Sequence, residues 1–166
     1  MSHQQLWAPW RLNYLVNEVV KSSDDCFLCR YRDDSRDAEN YLVHRSQHCL
    51  VVLNRFPYNN GHMLIAPSSH KASLDELTDS ELLDAQRQIR RMVQLLGLVI
   101  GAEGFNIGLN LGRVAGAGLP GHLHWHVVPR WNGDVNFMPV IADTKVVPQS
   151  LEALYQLLSR ELPQAE

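Results

Sequence analysis

The segment His122-Leu123-His124-Trp125-His126-Val127-Val128 alternates imidazoles with apolar side chains. In an extended strand successive side chains face opposite ways. This spacing therefore puts His122, His124 and His126 on one face at steps of about 6–7 Å, with Leu123, Trp125 and Val127 on the other. One face is fit for chemistry and the other for packing. Neutral imidazole can ligate a metal or attack as a nucleophile. Convergence of all three rings on one ion is awkward in a strand, because the first and third lie about 13 Å apart. A solvent face that merely carries histidines is the bland alternative, and three in strict alternation weigh against it.

Two further groups of residues have chemical potential. Cys26-Phe27-Leu28-Cys29 fits a redox pair, half of a metal site or two inert thiols, and no thioredoxin-like βαβ context favours the first. Cys49 sits in an apolar run and reads as packing. The stretch from Asn110 to Gly121 leads into the histidines and is rich in glycine, including Gly116 and Gly118. Its backbone N–H groups can form a nest for a phosphate, or it can be a simple turn between strands. It lacks the Gly-Lys-Ser/Thr of a P-loop.

The pattern His-φ-His-φ-His-φ-φ, with φ apolar, resembles the signature of the histidine triad (HIT) superfamily of nucleotide hydrolases and transferases. The flanks resemble the bacterial branch that includes diadenosine polyphosphate hydrolases and phosphorylases. They are Leu6-Trp7-Ala8-Pro9-Trp10-Arg11, Leu53-Asn54-Arg55-Phe56-Pro57-Tyr58-Asn59-Asn60-Gly61-His62 and Pro129-Arg130-Trp131-Asn132-Gly133-Asp134-Val135-Asn136-Phe137. The resemblance covers roughly residues 6–141.

That resemblance implies cleavage of a dinucleoside polyphosphate through a covalent nucleotidyl-histidine on His124, with water or phosphate as acceptor. His126 would hydrogen-bond the transferred phosphoryl group and help protonate the leaving phosphate, His122 would orient or support, and His62 would back the triad from a neighbouring strand. Asn54 would bind ribose hydroxyls, although an Asn there also suits a turn, and His62 also suits a strand end. Phe27, Leu53 and Phe56 can wall a base slot. Many relatives carry Gln or a hydroxyl residue where this chain has Gly118 and Leu119, which shifts phosphate capture to backbone amides plus Asn110. Several branches hold a structural zinc, and Cys26, Cys29, His70 and His122 stand at the matching positions. A homodimer with sheets joined edge to edge is also implied. Nucleoside phosphoramidate hydrolysis at the same site is a second reading, and a nucleotide-binding module with vestigial catalysis is a third.

The elements that must position these residues are readable from pattern. Apolar runs at Tyr41–His44, His48–Leu53 and His62–Ala66 predict strands, the last two joined as a hairpin through Asn54–Gly61 and ended by Pro67. Capping boxes at Ser73-x-x-Glu76 and Thr78-x-x-Glu81 precede Leu82, Ala85, Ile89, Met92, Val93 and Leu96 at helical spacing. They predict a helix over Thr78–Ile100, closed by Gly97 or Gly101. Further strands are expected at Phe105–Leu111 and His122–Val128, and a last helix at Ser150–Leu162 with Ser150 as N-cap. Ser22–Asp25 and Arg30–Asn40 read as a solvated loop around the cysteines. The order is α+β: an antiparallel sheet with one long helix and a C-terminal helix.

With 166 residues the chain is expected to form a single HIT domain over 1–166. Lys+Arg 15 against Asp+Glu 18 gives a net charge of −3, so no basic field exists to attract a nucleic acid polymer or an anionic membrane. A phosphate-bearing ligand must therefore be held locally. No signal-like leader or membrane span is seen, and three cysteines suit no disulfide framework, so a cytoplasmic protein is expected.

Overall fold

A computed structural model describes residues 26–134 and 147–162. The Leu6–Arg11 motif, Ser22–Asp25 and the Val135–Phe137 end of the third flank lie outside the described residues. Five strands, β1 (Leu42–Arg45), β2 (Cys49–Leu53), β3 (Met63–Pro67), β4 (Gly104–Leu109) and β5 (Trp125–Arg130), form one antiparallel sheet in the order β1-β2-β3-β5-β4. Helices α1 (Phe27–Asp33), α2 (Asp37–Asn40), α3 (Asp79–Ile100) and α4 (Leu151–Glu161) complete the α+β architecture.

The sheet has two differently covered faces. Val51, Leu53, Met63, Ile65, Trp125 and Val127 pack with Ala85, Ile89, Met92 and Leu96 of α3 and with Leu154 and Leu158 of α4. On the opposite face Leu50, Val52 and Ala66 pack with Cys26, Leu28, Cys29 and Tyr31, and with Leu119 from the glycine-rich segment. Alternation along each strand thus assigns one face to the helical core and the other to the site. Helix α3 starts at Thr78, whose side chain accepts from the Glu81 N–H while Glu81 bonds back, and it ends at Gly101 in a left-handed conformation. Ser150 caps α4 through the Ala153 N–H.

Two expectations are corrected. The segment Arg30–Asn40 is not a loop: α1 and α2 occupy most of it. Arg45, arriving from β1, donates to the carbonyls of Tyr31, Arg32 and Asp34 at 2.7–2.8 Å and pairs with Asp37 at 2.6 Å. These bonds satisfy carbonyls that a short helix leaves open. Strand β5 begins at Trp125 instead of His122. Its register with β3 pairs Ile65 with Trp125, so the next positions would set Leu123 opposite Pro67, which has no N–H to give. Leu123 donates instead to Lys71 O at 2.7 Å, and His122 N–H to Leu119 O at 3.3 Å.

Candidate active site and metal cluster

Strand β5 starts after both His122 and His124, so of the three histidines only His126 takes a register position in the sheet. His126 pairs with Leu64 on one side and Gly108 on the other, and Leu64 pairs with Val52. Val52, Leu64, His126 and Gly108 thus form one row across four strands. A cavity of about 560 Å³ opens on that face, lined by His124, His126 and Tyr58, by Gly116 and Gly118, and by an apolar wall including Phe27, Val52 and Leu64.

Hydrogen bonds fix which nitrogen each ring shows. The Tyr58 N–H donates to His62 Nδ1 at 3.1 Å, so Nδ1 is bare and His62 carries its proton on Nε2. That Nε2–H lies 2.9 Å from His126 Nδ1, which must accept. His126 therefore keeps its own hydrogen on Nε2. His124 is the opposite case: its Nδ1–H donates to the His122 carbonyl at 2.8 Å, which leaves Nε2 with a free lone pair. Burial pulls the His124 pKa down against the raising effect of that carbonyl, which favours the neutral ring. The two rings lie edge to face with centroids 5.0 Å apart. The pair offers one nucleophilic nitrogen and one N–H donor side by side.

Gly61, at φ +74°, closes the hairpin loop before His62. That left-handed conformation favours glycine, and a Cβ there would also crowd Ile100 Cδ1 of α3 at 2.8 Å. Tyr58 stacks on His62 at 4.7 Å and reaches His126 at 5.9 Å. Nothing in the sequence pattern marked Tyr58, because its contribution is a backbone N–H and a ring face.

His122 belongs to a second cluster. Its Nε2–H donates to Pro67 O at 2.8 Å, which turns the Nδ1 lone pair toward Cys26 Sγ at 3.2 Å and Cys29 Sγ at 3.6 Å. His70 Nδ1 stands 3.2 Å from Cys29 Sγ. All four ligand atoms lie within 4.8 Å of one another. A tetrahedral zinc with ordinary Zn–S and Zn–N bonds needs ligand atoms about 3.4–3.8 Å apart, so this donor set fits the ion with small adjustment. Burial pushes His122 down to about 4, and burial with the Cys26 thiol beside it pushes Cys29 up to about 11. Two cysteines facing two histidines are a donor set that a cation would bind with release of the thiol protons.

A HIT domain model matches residues 35–133 of the chain. The chain belongs to the HIT domain family. Over 163 residues this HIT protein is 38% identical to the AP-4-A phosphorylase of Mycobacterium tuberculosis, covering 95% of this chain and 84% of that one. It is 34% identical over 93 residues to the asymmetrical bis(5'-nucleosyl)-tetraphosphatase of Schizosaccharomyces pombe, covering 56% of this chain and 50% of that protein. Among solved structures, a Zn-bound histidine triad family protein from Mycobacterium smegmatis superposes with a TM-score of 0.69 at 26% identity, covering 86% of this chain and 96% of that one.

The remaining expected site residues of the HIT domain are placed unevenly. Asn54 lines the cavity, but its Oδ1 accepts the Phe56 N–H at 2.9 Å in a tight turn, and its Nδ2 lies 3.3 Å from His62 Nδ1. Asn110 is not among the described lining residues, and its Nδ2 leans on Gly116 O at 3.5 Å. In the glycine-rich segment the N–H groups of Gly116 and Ala117 turn inward to Arg113 O and Gly112 O. The segment is thus partly a self-bonded turn, with Gly116 and Gly118 facing the cavity.

Proposed function

We propose that this chain is an enzyme that cleaves dinucleoside polyphosphates through a nucleotidyl intermediate on His124. The observation that carries this reading is the opposed tautomers: a bare Nε2 on His124 beside an Nε2–H on His126, both at one cavity. His124 Nε2 attacks the phosphorus of the bound nucleotide. A P–N bond forms, the P–O bond to the remaining polyphosphate breaks, and the positive charge that develops on the ring is steadied by the His122 carbonyl. His126 Nε2–H donates to an oxygen of the transferring group. Because its Nδ1 is held by His62, His126 acts as a hydrogen-bond donor throughout; the leaving phosphate, with a second pKa of about 6, departs as an anion. In the second step an oxygen of phosphate or water attacks the same phosphorus and the electron pair of the P–N bond returns to His124; when water attacks, its proton passes to solvent or to the product phosphate. Asn54 keeps a lone pair on Oδ1 for a ribose hydroxyl, and Gly116 and Gly118 let the backbone approach the phosphates.

Diadenosine tetraphosphate supplied with and without inorganic phosphate tests this. Turnover to ADP and ATP with phosphate, or to AMP and ATP with water alone, is expected. Absence of turnover under both conditions would overturn the reading. The alternative reading, nucleoside phosphoramidate hydrolysis, uses the same two histidines. Adenosine phosphoramidate turned over faster than the tetraphosphate would favour it.

We further propose that Cys26, Cys29, His70 and His122 hold one structural zinc. When bound, the ion would supply a cross-link and no chemistry on the substrate, since none of its four holders lines the cavity. A homodimer through the exposed edge of β4, where Ile107 is 47% exposed, completes the reading. The three free, buried cysteines suit the reducing cytoplasm.

A further inference from the structure

The cavity has two ends, and strand register sets their separation. Val52 pairs with Leu64 and Leu64 with His126, so Val52 stands two strand spacings, about 10 Å, from His126. A nucleoside 5′-phosphate spans a comparable length. With phosphorus at His124, its base falls at the far end, where Phe27, Tyr31 and Val52 form the wall.

The charged side chains lining the cavity are Arg30 and Arg55; no carboxylate lines it among the described residues. Arg55 is oriented before any ligand arrives. Its Nε–H donates to the Tyr31 hydroxyl at 3.1 Å, one Nη2 hydrogen goes to the Glu39 carbonyl, and its guanidinium lies 4.9 Å from the centroid of the Tyr41 ring. A guanidinium has five N–H donors. These contacts use two of them, and among the described residues the other three, both on Nη1 included, have no partner. A planar fork held in place on one side and open on the other matches two adjacent acceptors.

We propose that Arg55 is a specificity-determining residue that reads the acceptor edge of a purine, so that the site prefers guanine to adenine nucleotides. The inference rests on the nucleotide-cleaving reading above and deepens it. Guanine presents N7 and O6 side by side, which the fork accommodates. Adenine sets an amino group beside N7, which turns N–H against N–H. The second cation, Arg30, adds attraction without that restraint.

Calorimetric titration of the full chain with GMP and with AMP tests this without turnover. GMP is expected to bind about five- to a hundredfold more tightly, the range that one bidentate arginine–guanine pair supplies. In Arg55→Lys, which keeps the charge and loses the fork, and in Arg55→Met, the ratio is expected to fall close to one. Arg55→Met also removes ties to α1 and α2. The wild-type ratio and the Lys variant therefore decide the matter if the Met variant folds poorly. Equal affinities, or tighter AMP, in the wild type would overturn the proposal, as would an unchanged ratio in Arg55→Lys. Guanine preference without turnover of any dinucleoside tetraphosphate would support the role of Arg55 and count against the proposed reaction.

Discussion

His124 and His126 sit two residues apart yet show the cavity opposite faces of the same chemistry, and the difference comes from groups that are mostly backbone. His122 O takes the proton side of His124, while Tyr58 N–H, acting through His62, gives His126 the other tautomer. His124→Ala removes the proposed nucleophile and is expected to lower kcat by about three orders of magnitude or more, with nucleotide affinity little changed. A variant keeping over a tenth of the activity would exclude that role. His62→Leu keeps volume but leaves His126 free to carry its hydrogen on either nitrogen. A fall in kcat of about 10- to 100-fold with KM nearly constant is expected in steady-state kinetics. The alternation of His122, His124 and His126 was legible because it is local. The tautomer chain was not, because its key link joins residues 64 positions apart and its first donor is a main-chain N–H.

Helix α1 joins the two clusters. Cys26, at its N-cap, and Cys29 face His70 and His122, while Phe27, Arg30 and Tyr31, spaced at i, i+3 and i+4, line the cavity. A zinc at the four proposed ligands would therefore hold this cavity wall, the proposed base wall, in place. Metal analysis of protein prepared without chelator is expected to find about one zinc per chain. Cys26→Ser should lose it, lower Tm by about 5 °C or more, and weaken AMP binding; wild-type stability and AMP affinity in that variant would exclude the coupling. The sequence marked the cysteines but not the helix that carries them. A seven-residue helix has too little periodicity to read, and the carbonyl caps that stabilise it come from Arg45 on β1. The long helix was legible from Thr78, and its end was narrowed to Gly97 or Gly101, of which Gly101 is the cap, because capping boxes and a C-terminal glycine are local devices. The start of β5 was misread because the obstacle, Pro67, lies on another strand.

At the scale of the whole molecule, two features tie the site to the environment. Among the described residues strand β4 has a neighbour on one side only, and Ile107→Lys is expected to turn a dimer that uses this edge into a monomer in analytical ultracentrifugation. A wild-type monomer at micromolar concentration would remove the dimer from the account. Acid stability turns on Glu81, at the start of α3. Burial raises its pKa, but hydrogen bonds from Lys71, Ser69 and Thr78 outweigh this and hold it at about 2. A depressed carboxyl contributes stability that is present above its ordinary pKa near 4.5 and lost as pH falls toward 2. Glu81→Gln should thus be less stable than wild type at pH 7, with the gap closing below about pH 3 in thermal melts. A gap that does not change with pH would contradict this.

The central claim is that His124 carries the nucleotide. The protein, mixed with radiolabelled diadenosine tetraphosphate in the absence of phosphate and quenched at neutral or alkaline pH within milliseconds, should retain labelled nucleotide. Mass spectrometry of its peptides should place the adduct on His124, and His124→Ala should retain none. Steady turnover by the wild type with no protein-bound nucleotide at any time, together with inversion of configuration at phosphorus, would contradict the claim.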